Sequence, residues 1–334
     1  MTTPVLTHLN QEIIVGCNLD CPMCIGGKYR RERGLQTLSL ERLEEILDRI
    51  PTLKGINIIG IGEPLLHPQW IEIMEMLTER NLGLTFTTNT TLLNEENIEA
   101  LHPTAYIALS IDTLNPEVYK EIRGAELKDA LERVDLLRRM KPHANIFINA
   151  VVMKQTIDDL HLFIPYAKKI RATIHPIHVM TYNREGVERF VPTKEQIKAR
   201  ISDFKRQAYK HNVKYIRVED GPRQWECQSP FFSLTVKMDG TVYSCCYVSS
   251  LDYEVEYFNN HKIQLPKEQY VLGNIFTDSI EHLFNGERIN HIRETIQSSS
   301  IKSRDNYDEL RKKADLTNPH EYCKICLNRW GMVC

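Results

Sequence analysis

Residues 16–24 read Gly16-Cys17-Asn18-Leu19-Asp20-Cys21-Pro22-Met23-Cys24. Three thiolates on one short loop can converge on a single metal centre. Three ligands leave one iron of a four-iron cluster open, and an open coordination position is what a metal needs to do chemistry. The competing reading of the same spacing is zinc, with a fourth ligand supplied by a distant His or Cys. Residues 8–15 read as a strand that enters this loop, which puts the thiols at the end of a strand.

Strand and helix alternate outward from the loop. Residues 39–50 look helical, with Ser39 as N-cap. A short strand at 55–59 runs into a second turn, Gly60-Ile61-Gly62-Glu63-Pro64. Helices are predicted at 68–80, 94–101, 116–122, 126–140, 157–169 and 193–211, and strands at 82–88, 105–111, 146–153, 172–179 and 213–218. That rhythm predicts parallel strands with helices outside. It breaks at Glu219-Asp220-Gly221-Pro222-Arg223, a linker. Residues 231–236 and 241–243 then flank Met238-Asp239-Gly240, a hairpin with an Asp-Gly turn, and helices follow at 278–284 and 286–297.

Composition bounds the function. The chain has 334 residues, 42% hydrophobic and 26% charged, which excludes a disordered or collagen-like chain. With 42 Lys and Arg against 44 Asp and Glu, it is not a broadly basic nucleic-acid binder. No run approaches the ~20 apolar residues that cross a bilayer, so no membrane association is expected. The N-terminus lacks a signal-peptide pattern, so the expected location is the cytoplasm. Nine cysteines, an odd number, are then no disulfide framework.

The remaining cysteines form a second group. Cys227 precedes the hairpin, Cys245 ends it, and Cys323-Lys324-Ile325-Cys326 follows downstream. Two plus two makes four ligands, the count of a closed iron–sulfur cluster and also of a zinc ribbon. Cys246 and Cys334 are left over. Cys246 reads as a small buried hydrophobe. Cys334 is a weak candidate for a hydrogen donor.

The triplet after the first strand, joined to the glycine turn ending in Glu63-Pro64 after the second, resembles the radical S-adenosylmethionine (radical SAM) superfamily. Cys227, Gly240 to Cys245 and the late Cys323/Cys326 pair resemble its auxiliary-cluster extension, called SPASM or, when shorter, twitch. The full SPASM pattern continues with closely spaced cysteines that this chain lacks, which favours a single auxiliary cluster. The resemblance implies an α/β fold: a partial (β/α)6 TIM-like barrel at 1–218, and a small C-terminal α+β domain of hairpin plus helices at 219–334. It implies three cofactors: S-adenosylmethionine, a [4Fe-4S] cluster on Cys17, Cys21 and Cys24, and an auxiliary [4Fe-4S] cluster on Cys227, Cys245, Cys323 and Cys326.

The same resemblance assigns roles. Gly60, Gly62, Glu63 and Pro64 would receive the methionyl ammonium. Thr88, Asn89, Ser110 and Asp112 would face the ribose and the methionyl carboxylate, which Arg123 would clamp. Met23 would lie beside the adenine. Asn149, Met153 and His175 would point near the pocket. The run His175-Pro176-Ile177-His178 is read as placing both histidines on one strand face, as a polar lining or a metal pair. Tyr182, Asn183 and Arg184 are expected near substrate, and the basic stretch Arg30 to Arg33 reads as a solvated face or a greeting surface for an acidic partner.

The implied activity is reductive cleavage of S-adenosylmethionine to a 5′-deoxyadenosyl radical that abstracts hydrogen. The favoured substrate is a ribosomally made peptide, matured by cross-linking, epimerisation or backbone excision. A small-molecule dehydrogenase or rearrangement enzyme acting on an aminocyclitol, sugar or nucleoside is the alternative, and a non-catalytic zinc protein is the reading from another class. Because the triplet starts 17 residues in, a peptide enzyme of this kind is expected to use a separate leader-binding protein. Its reductant would be a flavodoxin or ferredoxin.

Overall fold

The computed structural model describes residues 4–102, 105–179, 181, 183–216, 227–249, 257–258, 261–262 and 270–298. One nine-stranded sheet organises them. Its strands are β1 (His8–Glu12), β2 (Gly55–Ile59), β3 (Gly83–Thr88), β4 (Tyr106–Ser110), β5 (Asn145–Val152), β6 (Thr173–His178), β7 (Ser233–Val236), β8 (Thr241–Tyr243) and β9 (Val271–Asn274). The spatial order is β9-β8-β7-β1-β2-β3-β4-β5-β6. From β1 to β6 every pairing is parallel. This is the six-strand partial β/α barrel that the alternation predicts.

Each barrel strand splits its side chains between two environments. Ile56, Ile58, Leu84, Phe86, Ile107, Leu109, Ile146 and Ile148 are buried in the main apolar core. They meet the apolar stripes of helices α2 (Leu40–Asp48), α3 (Trp70–Glu79) and α6 (Leu127–Met140), built from residues such as Leu43, Ile46, Ile73, Leu77, Val134 and Leu137. The alternate positions include the polar residues Asn10, Asn57, Ser110, Asn149 and His175 on the barrel's inner face. Asn10 and Asn57 bond to each other there at 3.0 Å.

Ser39 caps α2 by accepting from the Arg42 amide. Two helices of the barrel have no counterpart in the sequence reading. Helix α1 (Gly26–Arg33) follows the cysteine loop, and α8 (Arg184–Phe190) follows β6. The other barrel helices are α4 (Glu95–Glu99), α5 (Pro116–Arg123), α7 (Phe163–Ile170) and α9 (Lys194–Lys210); single helical turns at Ser229–Phe232, where a strand is expected from 231, and at Cys246–Ser249 flank the hairpin. Residues 157–162, expected to open a continuous helix, instead wind as a 3-10 turn before α7. Of the predicted strand 213–218, the described residues 213–216 form a single bridge, between Tyr215 and Ile174.

The hairpin lies where the sequence puts it, as β7 and β8 joined through Lys237 to Gly240. Its β7 strand pairs in parallel with β1, so it extends the barrel sheet. Strand β9 adds a third, antiparallel member. Helices at Ile280–Asn285 and Glu287–Ser298 follow, close to expectation. Among the described residues no helix is long and apolar enough to cross a membrane.

Candidate active site

The cysteine loop leaves the C-terminal end of β1 through Ile14–Val15, a short strand paired with Gln36–Thr37. Glycines press its neighbours against it. A Cβ on Gly27 would lie 2.6 Å from the Leu19 carbonyl, and one on Gly26 3.3 Å from the Cys17 Cβ, so α1 can start only on small residues. The second turn docks the same way. Gly60 has φ +139°, and a Cβ there would lie 2.5 Å from the Ile14 carbonyl; at Gly62 it would lie 2.6 Å from the Gly16 carbonyl. The Gly16 amide donates to the Ile61 carbonyl at 2.8 Å, and the Glu63 amide to Gly16 at 3.2 Å. In this structure Gly60 and Gly62 serve the seam between the two loops.

Each of the three sulfurs faces an N–H donor. The Leu19 amide donates to Cys17 Sγ at 3.4 Å, Asn89 Nδ2 to the same sulfur at 3.5 Å, the Gly26 amide to Cys24 Sγ at 3.4 Å, and Arg123 Nη1 to Cys21 Sγ at 3.8 Å. Burial pushes all three thiols up, Cys17 to about 11. The residue Cys24 is exposed at its edge while its sulfur is crowded, which is why burial still dominates there. Donors of this kind do little for a neutral thiol and much for sulfur carrying negative charge. Among the described residues no three His, Cys, Asp or Glu side chains close on one point as the ligands of a single ion do. A cube spreads three thiolates over three iron corners, so the donor set fits a four-iron cluster bound by Cys17, Cys21 and Cys24.

Glu63 is buried beside the loop. Its Oε1 accepts from Thr88 Oγ1 at 2.7 Å and from the Leu65 amide at 3.2 Å; its Oε2 accepts from the Asn89 amide at 2.6 Å. Burial outweighs these donors and pushes its carboxyl up to about 7. Pro64 begins the 3-10 turn Pro64–Leu66 that Glu63 caps. Thr88 and Asn89 thus hold Glu63, and the Asn89 side chain also reaches Asn18 Oδ1 at 2.8 Å. The chain reverses just beyond, at Thr90, a buried β-branched residue with φ +72°. Such strain survives only where surrounding bonds fix it.

On the other flank Arg123, at the end of α5, reaches inward. Its Nη2 lies 2.6 Å from Asp112 Oδ2, both side chains being buried. Asp112 Oδ1 accepts from the Val151 amide at 3.1 Å. Burial pulls against the charge on Arg123, but Asp112 and Cys21 beside it hold the guanidinium above its ordinary value.

The strand register brings Ser110, Asn149 and His175 abreast, and His175 Nδ1 meets Asn149 Oδ1 at 3.1 Å. Met23 and Met153 share an apolar cluster with Ile122, Val179 and Phe190. His175 and His178 do not share a face. Their offset of three is odd, so the pleat sends His178 away from the interior. There burial depresses it to about 4, and no histidine pair forms. Asn183 caps α8 by accepting from the Gly186 amide at 2.8 Å, and Arg184 pairs with exposed Glu188. Tyr182 lies outside the described residues. The basic stretch lies on exposed α1, where Arg31 pairs with Asp20.

Cys227 and Cys245 flank the hairpin, each partly exposed, as is Cys246. Cys323, Cys326 and Cys334 lie outside the described residues. Sequence reasoning missed Asn18, Thr90 and Tyr119, all of which touch the groups above. The only signal was the polar run Thr87 to Thr91 after an apolar strand.

The radical SAM superfamily model matches residues 12–164, and an iron–sulfur cluster-binding domain model, SPASM, matches residues 227–327. Residues 12–164 are thus a radical SAM domain and residues 227–327 a SPASM domain. The first match holds the triplet, Glu63, Asp112 and Arg123; the second holds Cys227, Cys245, Cys323 and Cys326. The radical SAM domain binds S-adenosylmethionine and a four-iron cluster, and the SPASM domain binds auxiliary iron–sulfur. Mycofactocin maturase MftC of Mycobacterium tuberculosis is 27% identical over 169 residues, 50% of this chain and 43% of that protein. An AdoMet-dependent heme synthase of Methanosarcina barkeri is 28% identical over 184 residues, 53% of this chain and 51% of that one. The chain thus spans about half the length of these curated relatives. Streptococcus suis SuiB, solved with its precursor peptide SuiA, has the same fold at 14% identity, with a TM-score of 0.69 over 94% of this chain and 75% of that one. The partial α/β barrel expected from the sequence is therefore a fold shared with SuiB.

Proposed function

We propose that the chain is a radical SAM enzyme that matures a peptide. The observation that carries the chemistry is the triplet at the C-terminal end of β1, with a donor aimed at each sulfur. When bound, the reduced cluster and S-adenosylmethionine together supply one-electron cleavage of a carbon–sulfur bond and removal of a hydrogen atom from a substrate carbon. The chain's own residues fix where this happens. Cys17, Cys21 and Cys24 hold the metal. Glu63 locks the second turn against the end of β3 through Thr88 and the Asn89 amide. Arg123 is held by Asp112 against Cys21, and Ser110, Asn149 and His175 line the barrel interior beyond. The apolar patch of Met23 and Met153 suits a flat nucleobase and keeps water off that side.

The peptide reading draws on a maturase among the relatives and on SuiB, whose solved form carries a precursor peptide. The heme synthase keeps the small-molecule reading in view. Residues 219–334 are taken as the second domain, with one auxiliary cluster on Cys227, Cys245, Cys323 and Cys326, closed to substrate because all four ligands are protein. A flavodoxin or ferredoxin in the cytoplasm would supply electrons, and a separate protein would present the peptide leader.

The test is anaerobic reconstitution with iron and sulfide, then reductant, S-adenosylmethionine and candidate substrates deuterated at the reacting carbon. Deuterium appearing in 5′-deoxyadenosine with a peptide supports the proposal. Deuterium transfer only from a small molecule moves the substrate class, and a chain that takes up zinc but no iron and releases no deoxyadenosine refutes the enzyme.

A further inference from the structure

We infer that Arg123, oriented by Asp112, is a charge that sets the reduction potential of the cluster held by the cysteine triplet. Three observations converge. Arg123 is one of the donors on the three sulfurs and, among the described residues, the only one that carries a full charge. Its guanidinium is buried, with side-chain exposure of 10%, and Asp112 opposite it has 0%, so solvent screens neither. Asp112 is itself pinned by the Val151 amide at the end of β5, which fixes the direction from which the guanidinium approaches Cys21. A guanidinium keeps its charge at any accessible pH. A fixed positive charge beside a cluster thiolate favours the added electron, since the electron makes the cluster more negative.

The arrangement is not an ordinary buried ion pair. Arg123 Nε has no hydrogen-bond partner among the described residues, although Tyr119 and Thr90 lie in the same buried polar cluster. A pair built only for stability would be packed without such a loose end. The free Nε is what a methionyl carboxylate would require, while the Nη1 contact to Cys21 is what an influence on the cluster requires. The two roles separate by experiment.

The inference rests on the triplet holding a cluster. The full chain is reconstituted anaerobically, and the reduced-cluster EPR signal that Cys17→Ala removes is followed in a redox titration without S-adenosylmethionine. Absence of any such signal in the native chain defeats the functional proposal itself. With the signal present, Arg123→Met lowers the reduced-to-oxidised ratio at fixed poise about tenfold, 59 mV for one electron, and Arg123→Lys restores most of it. Asp112→Asn, which leaves the guanidinium uncompensated, moves the potential the opposite way. A merely structural pair would shift both variants together or only lower cluster occupancy, and that result overturns the inference. So does an unchanged potential in Arg123→Met with weakened S-adenosylmethionine binding. Should Arg123→Met fail to accumulate, the sign of the Asp112→Asn shift decides alone.

Discussion

The two flanks of the cysteine loop are built on different electrostatics. Around Cys17 the donors are neutral: the Leu19 amide and the Asn89 side chain, with the buried carboxyl of Glu63 close behind. Around Cys21 the donor is a guanidinium paired with a second buried carboxylate. Neutral donors leave Glu63 sensitive to pH, because burial raises its carboxyl to about 7. A full countercharge ties Asp112 to Arg123 instead. One flank therefore responds to protons and the other to the loss of a partner.

The largest expected effect tests whether the flanks share one centre. Cys17→Ala, Cys21→Ala and Cys24→Ala should each remove about four of roughly eight irons per chain, read by metal analysis after anaerobic reconstitution. If Cys21→Ala keeps all of its iron while Cys17→Ala does not, the flanks do not belong to one cluster. Next comes the charged flank. Arg123→Met strands the Asp112 carboxylate and should cost about 3–5 kcal/mol in urea unfolding. The double change Arg123→Met/Asp112→Leu should recover much of that loss, because no charge is left buried.

The neutral flank should show itself through pH. Glu63 keeps its proton in the folded chain up to about 7, whereas an unfolded carboxyl releases it near ~4.3. Between those values the folded state binds more protons than the unfolded one, so stability falls as pH rises and levels off above 7. In the cluster-free chain the fall should be about 4 kcal/mol. Glu63→Gln should flatten the curve over that window. A curve that still slopes as steeply in the variant would place the titrating group elsewhere.

The comparison also separates what sequence can carry from what it cannot. The triplet and the Glu63 turn stand out because each pairs an unusual spacing with a strand end. The barrel follows from apolar strands alternating with amphipathic helices. Helix α1 stayed hidden because only Tyr29 and its two glycines are buried, leaving no apolar stripe to read. Helix α8 buries only Phe190 and contains a glycine. In β9 the sheet pairing is interrupted beside Gly273, whose φ of +154° follows no alternating pattern. The Arg123–Asp112 pair joins a helix end to a strand end eleven residues earlier, a distance no periodicity encodes. Arg123 was singled out as a ligand for a carboxylate; that its partner would be Asp112 required the fold. Likewise Thr88 and Asn89 were expected to face the cofactor, and the structure gives their nearest duty to Glu63.

The smallest expected effect bears most directly on that division of labour. Asn89 serves the neutral flank twice, through its amide on Glu63 and through its side chain on Cys17 and Asn18. Asn89→Ala keeps the amide and so keeps Glu63 in place. It removes one long contact to sulfur, a 2.8 Å bond to Asn18 Oδ1 and the acceptor for the Thr91 amide. Those bonds are neutral and partly exposed, so water replaces most of them, and the loss in thermal or urea unfolding should be about 1 kcal/mol. The cluster should still assemble, with a potential displaced less than in Arg123→Met, because a dipole on one sulfur acts more weakly than a charge on another. If Asn89→Ala moves the potential as far as Arg123→Met does, the two flanks are not electrostatically distinct and the contrast between them fails.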